Sequence, residues 1–158
     1  MKNSFQPLSH SDCTILILGS LPGEISLQQQ QYYAHPRNAF WKIMFEILGE
    51  EFSDDYDKRK AMLLKNNIAL WDVIESANRK GSLDSDIRDV VVNDFDGFFK
   101  EHTKIEKIIL NGGKASSLFK RYCKNIDIQA FSLPSTSPAN ARMSFEEKLE
   151  VWREIILK

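Results

Sequence analysis

Four short apolar runs, each closed by a turn signal and followed by a helical pattern, limit the folds open to this chain more than any other feature. They cover Thr14–Leu18, Ile68–Trp71, Ile105–Leu110 and Ile128–Leu133. Their length and apolar character suit buried strands. The first ends at Gly19, the third at Asn111-Gly112-Gly113, and the fourth runs into a Pro/Ser-rich turn. Strands alternating with helices imply a parallel sheet covered on both sides, so the expectation is an α/β chain built as a three-layer α/β/α sandwich with about four strands.

The intervening helices are also legible. Asn38 can cap a helix carrying Phe40, Ile43, Met44 and Ile47 on one face, stopped by Gly49. Further helices are expected over Asp55–Lys65, over Asn93–Glu101 and after Gly113. The last helix has a capping box, Ser144-x-x-Glu147, and an apolar stripe at Phe145, Leu149, Trp152 and Ile156. Asp72 has the look of an N-cap for a short helix over Val73–Ala77. At 158 residues, residues 1–158 are expected to form one domain with a full core.

Composition excludes several function classes. No stretch reaches the roughly 20 apolar residues that span a bilayer. The opening MKNSFQPLSHSDC is polar, which points to no signal peptide and a cytoplasmic location. Cys13 and Cys123 are too few and too far apart for a metal or iron–sulfur site, and they read as buried thiols. The HExxH, CxxC, GxGxxG and Walker patterns are missing from the sequence, so no cofactor, no metal and no membrane partner are expected. A formal net charge of -1 argues against non-specific coating of nucleic acid. Phosphates can still be gripped locally by backbone N–H groups and hydroxyls.

In open parallel sheets the ligand sits beyond the carboxyl ends of the strands. The unusual segments all fall there: Gly19–Trp41, Trp71-Asp72, Asn111–Lys114 and Leu133–Arg142. Two of them carry distinctive wording. The first reads Gly19-Ser20-Leu21-Pro22-Gly23, then Gln31-Tyr32-Tyr33-Ala34-His35-Pro36-Arg37-Asn38-Ala39-Phe40-Trp41. The second reads Leu133-Pro134-Ser135-Thr136-Ser137-Pro138-Ala139-Asn140.

The G-x-x-P-G turn with the A-H-P-x-N-x-F-W run resembles the first motif of mismatch-specific uracil-DNA glycosylases, and the Leu-Pro-Ser-Thr-Ser-Pro segment stands in the place of that superfamily's second motif. The full wording is most similar to the hypoxanthine-DNA glycosylase branch, and the likeness covers essentially the whole chain. It implies a monofunctional enzyme that hydrolyses the N-glycosidic bond of a flipped, deaminated base, most closely hypoxanthine in deoxyinosine. The partner implied is DNA carrying deaminated bases, acted on by a monomer.

The resemblance also implies roles. Many relatives place a water-positioning Asn at the third residue of the first motif, where this chain has Leu21, which cannot orient water. The branch resembled here has an Asn at the end of the following run, and Asn38 matches it as the expected catalytic residue; a helix cap is its other reading, and the two can coexist. Tyr33 aligns with the aromatic shelf for the extruded base, with a core aromatic as the alternative. Leu21, Pro22 and Gly23 are expected beside the base, with Tyr32 and Phe40 as packing. Asp72 ends the second strand where a base-reading group often stands. A carboxylate there can accept N1–H of hypoxanthine and repel the N1 lone pair of adenine, although its charge also opposes an anionic leaving group. Asn111 is expected to touch the base pocket or simply to turn the strand. Ser135, Thr136, Ser137 and Asn140 are expected on the loop that binds flanking phosphates and enters the DNA, though no apolar wedge is visible in it. His35 reads as a hydrogen-bonded structural histidine.

Three other readings stay open: uracil as the substrate, a non-catalytic module that binds damaged DNA, and a flavodoxin-like small-molecule domain. The last leaves the Leu-Pro-Ser-Thr-Ser-Pro loop without a purpose.

Overall fold

A computed structural model describes residues 2–83 and 87–158. The chain runs β1 (Lys2–Asn3), β2 (Ile15–Gly19), α1 (Glu24–Gln29), α2 (Phe40–Ile47), α3 (Tyr56–Lys65), β3 (Ile68–Asp72) and β4 (Ile74–Arg79). It continues with β5 (Ile87–Val92), α4 (Phe95–Glu101), β6 (Lys107–Asn111), α5 (Gly113–Tyr122), β7 (Ala130–Leu133) and α6 (Phe145–Ile156).

Strands β3, β2, β6 and β7 lie side by side in that order and pair in parallel throughout. Alternation along them builds two cores. Leu16, Leu18, Ala69, Trp71, Ile108 and Leu110 face one side, against Phe95 and Phe98 of α4 and Leu118 and Phe119 of α5. Ile17, Ile68, Leu70 and Ile109 face the other, against α2, α3 and α6, where Phe40, Ile43, Met62, Leu63 and Trp152 are fully or almost fully buried. Strands β2, β3 and β6 thus feed both layers, whereas β7, at the sheet edge, turns Phe131 and Leu133 to one core and leaves Ala130 and Ser132 exposed. The expected three-layer sandwich is the observed one.

The helix ends follow their capping chemistry. The Asp55 carboxylate accepts the Asp57 N–H at 2.9 Å and starts α3. The capping box of α6 is complete: Ser144 Oγ accepts the Glu147 N–H, and Glu147 accepts the Ser144 N–H. That contact holds the Glu147 carboxyl below its ordinary range. Two strands are shorter than the sequence suggests, since β6 begins at Lys107 and β7 at Ala130. Helix α1 lies inside the rim segment, where the sequence pattern predicts no helix.

One expectation is overturned. Val73–Ala77 is not a helix capped by Asp72. Val73 is a bend, its N–H bonds back to the Gly19 carbonyl, and Ile74–Arg79 forms β4. β4 pairs antiparallel with β5 on one side and β1 on the other, making a small second sheet. Ladder hydrogen bonds to segments distant in sequence outweigh the local capping preference of an aspartate. Register shifts at Ile74/Ser76 and Ser76/Asn78 break the two-residue alternation that would have announced a strand.

Candidate active site

The order of strands in the large sheet reverses between β2 and β6, and the residues just beyond the four strand ends close around a cavity of about 820 Å³. Every site candidate named from the sequence contributes to its wall: Leu21, Pro22 and Gly23, Tyr33 and Asn38, Asp72, Asn111, and Ser135, Thr136, Ser137 and Asn140. Four segments distant in sequence are brought together because each follows a parallel strand of one sheet.

Gly19 ends β2 with a bare Cα that the site uses. A Cβ there would stand 2.7 Å from Asp72 Oδ1 and 3.0 Å from Tyr33 Oη, so both side chains close over the strand end only because Gly19 has none. Asp72 is buried. Tyr33 adopts the left-handed backbone region (φ 54°) and stacks on Phe40 at 4.2 Å. The run around it is braced: Trp41 Nε1 donates to the Tyr32 carbonyl at 2.8 Å, and the Ala34 N–H donates to Ser26 Oγ at 3.1 Å. Tyr32 is a packing residue, buried, with its hydroxyl donating to the Gln6 carbonyl. Burial first, and then the charge of Asp72, push that hydroxyl well above the ordinary tyrosine range.

Asn38 sits two residues before the first residue of α2. Its Oδ1 accepts the Phe40 N–H at 2.9 Å, while Ala39 takes the backbone N-cap position. The side chain therefore closes an Asx turn at the helix entry and borders the cavity at once. The bond fixes which end of the amide is which, with one Oδ1 lone pair spent. His35, also on the wall, accepts the Arg37 N–H through Nδ1 at 3.0 Å, as a structural histidine would.

The Pro134–Asn140 loop is held at every carbonyl along its first half. Trp152 Nε1 donates to Pro134 O, Asn140 Nδ2 to Ser135 O, the Ala39 N–H to Thr136 O and Lys148 Nζ to Ser137 O. Carbonyl oxygens, which would repel a phosphate, are thus turned into the protein. The hydroxyls behave differently. Ser135 Oγ accepts the Ser137 N–H and Ser137 Oγ accepts the Ala139 N–H, both at 3.1 Å, so each hydroxyl proton can be given to an outside acceptor. Thr136 is buried, and its N–H and Oγ1 bond both ends of the Asn111 amide at 3.0 Å. Asn111 therefore ties the end of β6 to this loop, and Thr136 anchors the loop from within.

Comparison with known proteins agrees with this geometry. The model of the uracil DNA glycosylase superfamily matches residues 7–156. The chain belongs to that superfamily. A protein of Methanosarcina acetivorans named "Hypoxanthine DNA glycosylase" is 37% identical over 156 residues, covering 98% of each chain. A protein of the same name from Methanosarcina barkeri is 36% identical over 154 residues, covering 97% of this chain and 96% of that one. A solution NMR structure of a candidate uracil DNA glycosylase from M. acetivorans superposes with a TM-score of 0.83 at 37% identity, over 98% of each chain.

Within this DNA glycosylase, sequence reasoning missed two parts of the cavity wall. The first is Arg79, at the end of β4 and 6% exposed. Its guanidinium donates to the carbonyls of Leu21, Pro22 and Gly81, clamping the G-x-x-P-G turn. Arginines are almost never fully buried unless paired, but burial cannot be read from Asn78-Arg79-Lys80-Gly81, which looks like a surface turn. The second is the tip beyond it, Ser82 and Leu83. A buried arginine and a buried aspartate, Arg79 and Asp72, therefore border the same space.

Proposed function

We propose that the chain acts as a single DNA glycosylase domain that hydrolyses the N-glycosidic bond of deoxyinosine, releasing hypoxanthine and leaving an abasic site. The observation that carries this is the meeting of Asn38, Tyr33 and Asp72 on one cavity at the carboxyl edge of the sheet. The substrate choice is supported by the two relatives named for hypoxanthine.

The reaction is largely dissociative, so positive charge grows on the sugar and negative charge on the departing purine. The attacking water needs placing more than deprotonating. Asn38 suits that role, because the Phe40 N–H fixes its amide and so orients its remaining lone pair and Nδ2 protons in advance. The water oxygen bonds C1′, the C1′–N9 bond breaks with its electron pair going to the base, and the water's proton ends on that base. Tyr33, braced from behind by Phe40, offers its other face to the extruded purine and returns part of the cost of flipping. Asp72 accepts N1–H and rejects adenine. Arg79 counters the objection raised by that carboxylate, since a cation on the same wall offsets charge on the leaving base. Ser135 and Ser137 donate their hydroxyl protons to flanking phosphates.

The test is single-turnover cleavage of end-labelled duplexes carrying one deoxyinosine or one deoxyuridine, with alkali added to open abasic sites. Wild type should cut at inosine, and Asn38→Ala should slow the cut at least about 100-fold while still binding. Cutting only at uracil would move the substrate. Binding without cutting in the wild type would leave a damaged-DNA binding module.

A further inference from the structure

Lysines are almost never fully buried unless paired, and Lys148 departs from that rule. It is 5% exposed, yet among the described residues no carboxylate forms an ion pair with it; the ion pairs there engage other lysines and arginines. Its side-chain hydrogen bond, from Nζ to the Ser137 carbonyl, is long at 3.4 Å, and that carbonyl also accepts the Asn140 N–H at 3.0 Å. Satisfying the loop backbone therefore does not require the lysine.

The position is a costly one for a cation. Lys148 is the fourth residue of α6, close to the end where the helix dipole disfavours positive charge. Leu149 beside it and Trp152 one turn further are buried, and burial lowers the Lys148 pKa from the ordinary lysine value. The acids of the same turn do not answer it: Glu146 and Glu147 are exposed, and Glu147 accepts the Ser144 N–H in the capping box. Taking a charge out of water without a counter-ion destabilises the free protein.

What the position provides is a cation directly behind the second-motif loop. Ser137 accepts from Nζ through its carbonyl, while its hydroxyl accepts the Ala139 N–H and keeps its own proton for an outside acceptor. A single residue thus stands between the lysine and the phosphate that the proposed function sets on Ser137. Charges that are partly buried are screened far less than exposed ones. With a formal net charge of -1 the chain has no general excess of cations to attract a polyanion, so the placing of individual ones matters.

We propose that Lys148 is a positioning residue for the substrate whose counter-ion is the DNA itself: its charge, unpaired in the free protein, is matched by the phosphate that docks on Ser137. This rests on the DNA-binding part of the reading above and not on which base is released.

The experiment compares wild type, Lys148→Met and Lys148→Arg. Binding is measured by fluorescence anisotropy, across a range of salt, on a duplex carrying one tetrahydrofuran abasic-site analogue, which has no base to lose. Lys148→Met should weaken binding about tenfold at low salt, the scale for unit charges about 10 Å apart across a partly buried loop. The slope of log affinity against log salt should become shallower by close to 1. Lys148→Arg should restore most of both. In urea denaturation without DNA, Lys148→Met should hold or raise the midpoint, because it removes a buried charge and keeps the apolar stem. Lower affinity together with a lower midpoint would make Lys148 a merely structural residue and overturn the proposal. An unchanged salt slope, or an arginine variant no better than methionine, would overturn it as well. Single-turnover cleavage of a deoxyinosine duplex at saturating protein, run beside the binding series, reports the glycosylase reading separately: wild type that binds the analogue and cuts nothing overturns that reading and leaves the Lys148 result standing.

Discussion

Replacing Asn111 by alanine tests how the site is assembled. Asn111 and Thr136 exchange two hydrogen bonds at 3.0 Å, and Thr136 is 1% exposed. Alanine leaves the Thr136 N–H and hydroxyl without those partners. A buried polar group left unsatisfied costs about 1–3 kcal/mol, and the neighbouring cavity can admit water to relieve part of it, so the expected loss of stability is about 2–4 kcal/mol. Thr136→Val should cost less, about 1 kcal/mol, because the amide it abandons borders the cavity and can be hydrated. The two residues act on each other, so the double variant should be less destabilised than the sum of the singles by about 1 kcal/mol or more. Urea denaturation of the four proteins measures all of this. A loss under about 0.5 kcal/mol for Asn111→Ala, or strict additivity, would refute the claim that this pair fastens the Pro134–Asn140 loop to the sheet.

Other consequences follow from the same geometry. Asp72→Asn replaces a group that can only accept with one that can also donate to adenine N1, so the preference for inosine over adenosine sites should fall by roughly tenfold or more. Parallel single-turnover assays read that ratio, and an unchanged value removes Asp72 from base reading. Burial pushes the Cys123 thiol up to about 11 from an ordinary 9.0, and Cys13 is raised as well, so both should alkylate far more slowly in the native protein than in urea. The unfolded chain ionises Cys123 first, so its contribution to stability is intact below about 9 and is lost as pH climbs toward about 11. Tyr32, also raised, acts in the same direction, and Cys123→Ala should therefore flatten only part of a denaturation profile taken across that range.

What the sequence revealed, and what it hid, follows from where the determining interactions lie. Strands β2, β3 and β6 are legible because burial on both faces writes itself as apolar runs, and β7, buried on one face, because it leads into the Pro/Ser-rich turn. Helices α3 and α6 are legible because Asp55 and Ser144 cap them with local hydrogen bonds. Asn38, Asp72 and the Ser135–Ser137 segment could be placed on one rim because the end of a parallel strand is a fixed address. The β4–β5 hairpin was hidden: its polar Glu75, Ser76 and Asn78 and its two register shifts erase the alternation, and β1, its partner on the other edge, is far away in sequence. With the hairpin hidden, the clamp of Arg79 on the first motif and the position of Leu83 could not be seen either. Thr136 shows a subtler gap. Its place on the loop was legible, but only the packed structure shows its polar atoms turned inward to Asn111 while the Ser135 and Ser137 hydroxyls accept backbone N–H groups within the loop.

The most direct measurement is identification of the free base released when the purified protein is incubated with a duplex carrying one deoxyinosine. Mass spectrometry of the small-molecule fraction should show hypoxanthine accumulating one for one with alkali-labile sites, and almost none with Asn38→Ala. Release of uracil from a matched deoxyuridine duplex with no hypoxanthine from the inosine duplex, or tight binding of inosine DNA with no base released, would contradict it.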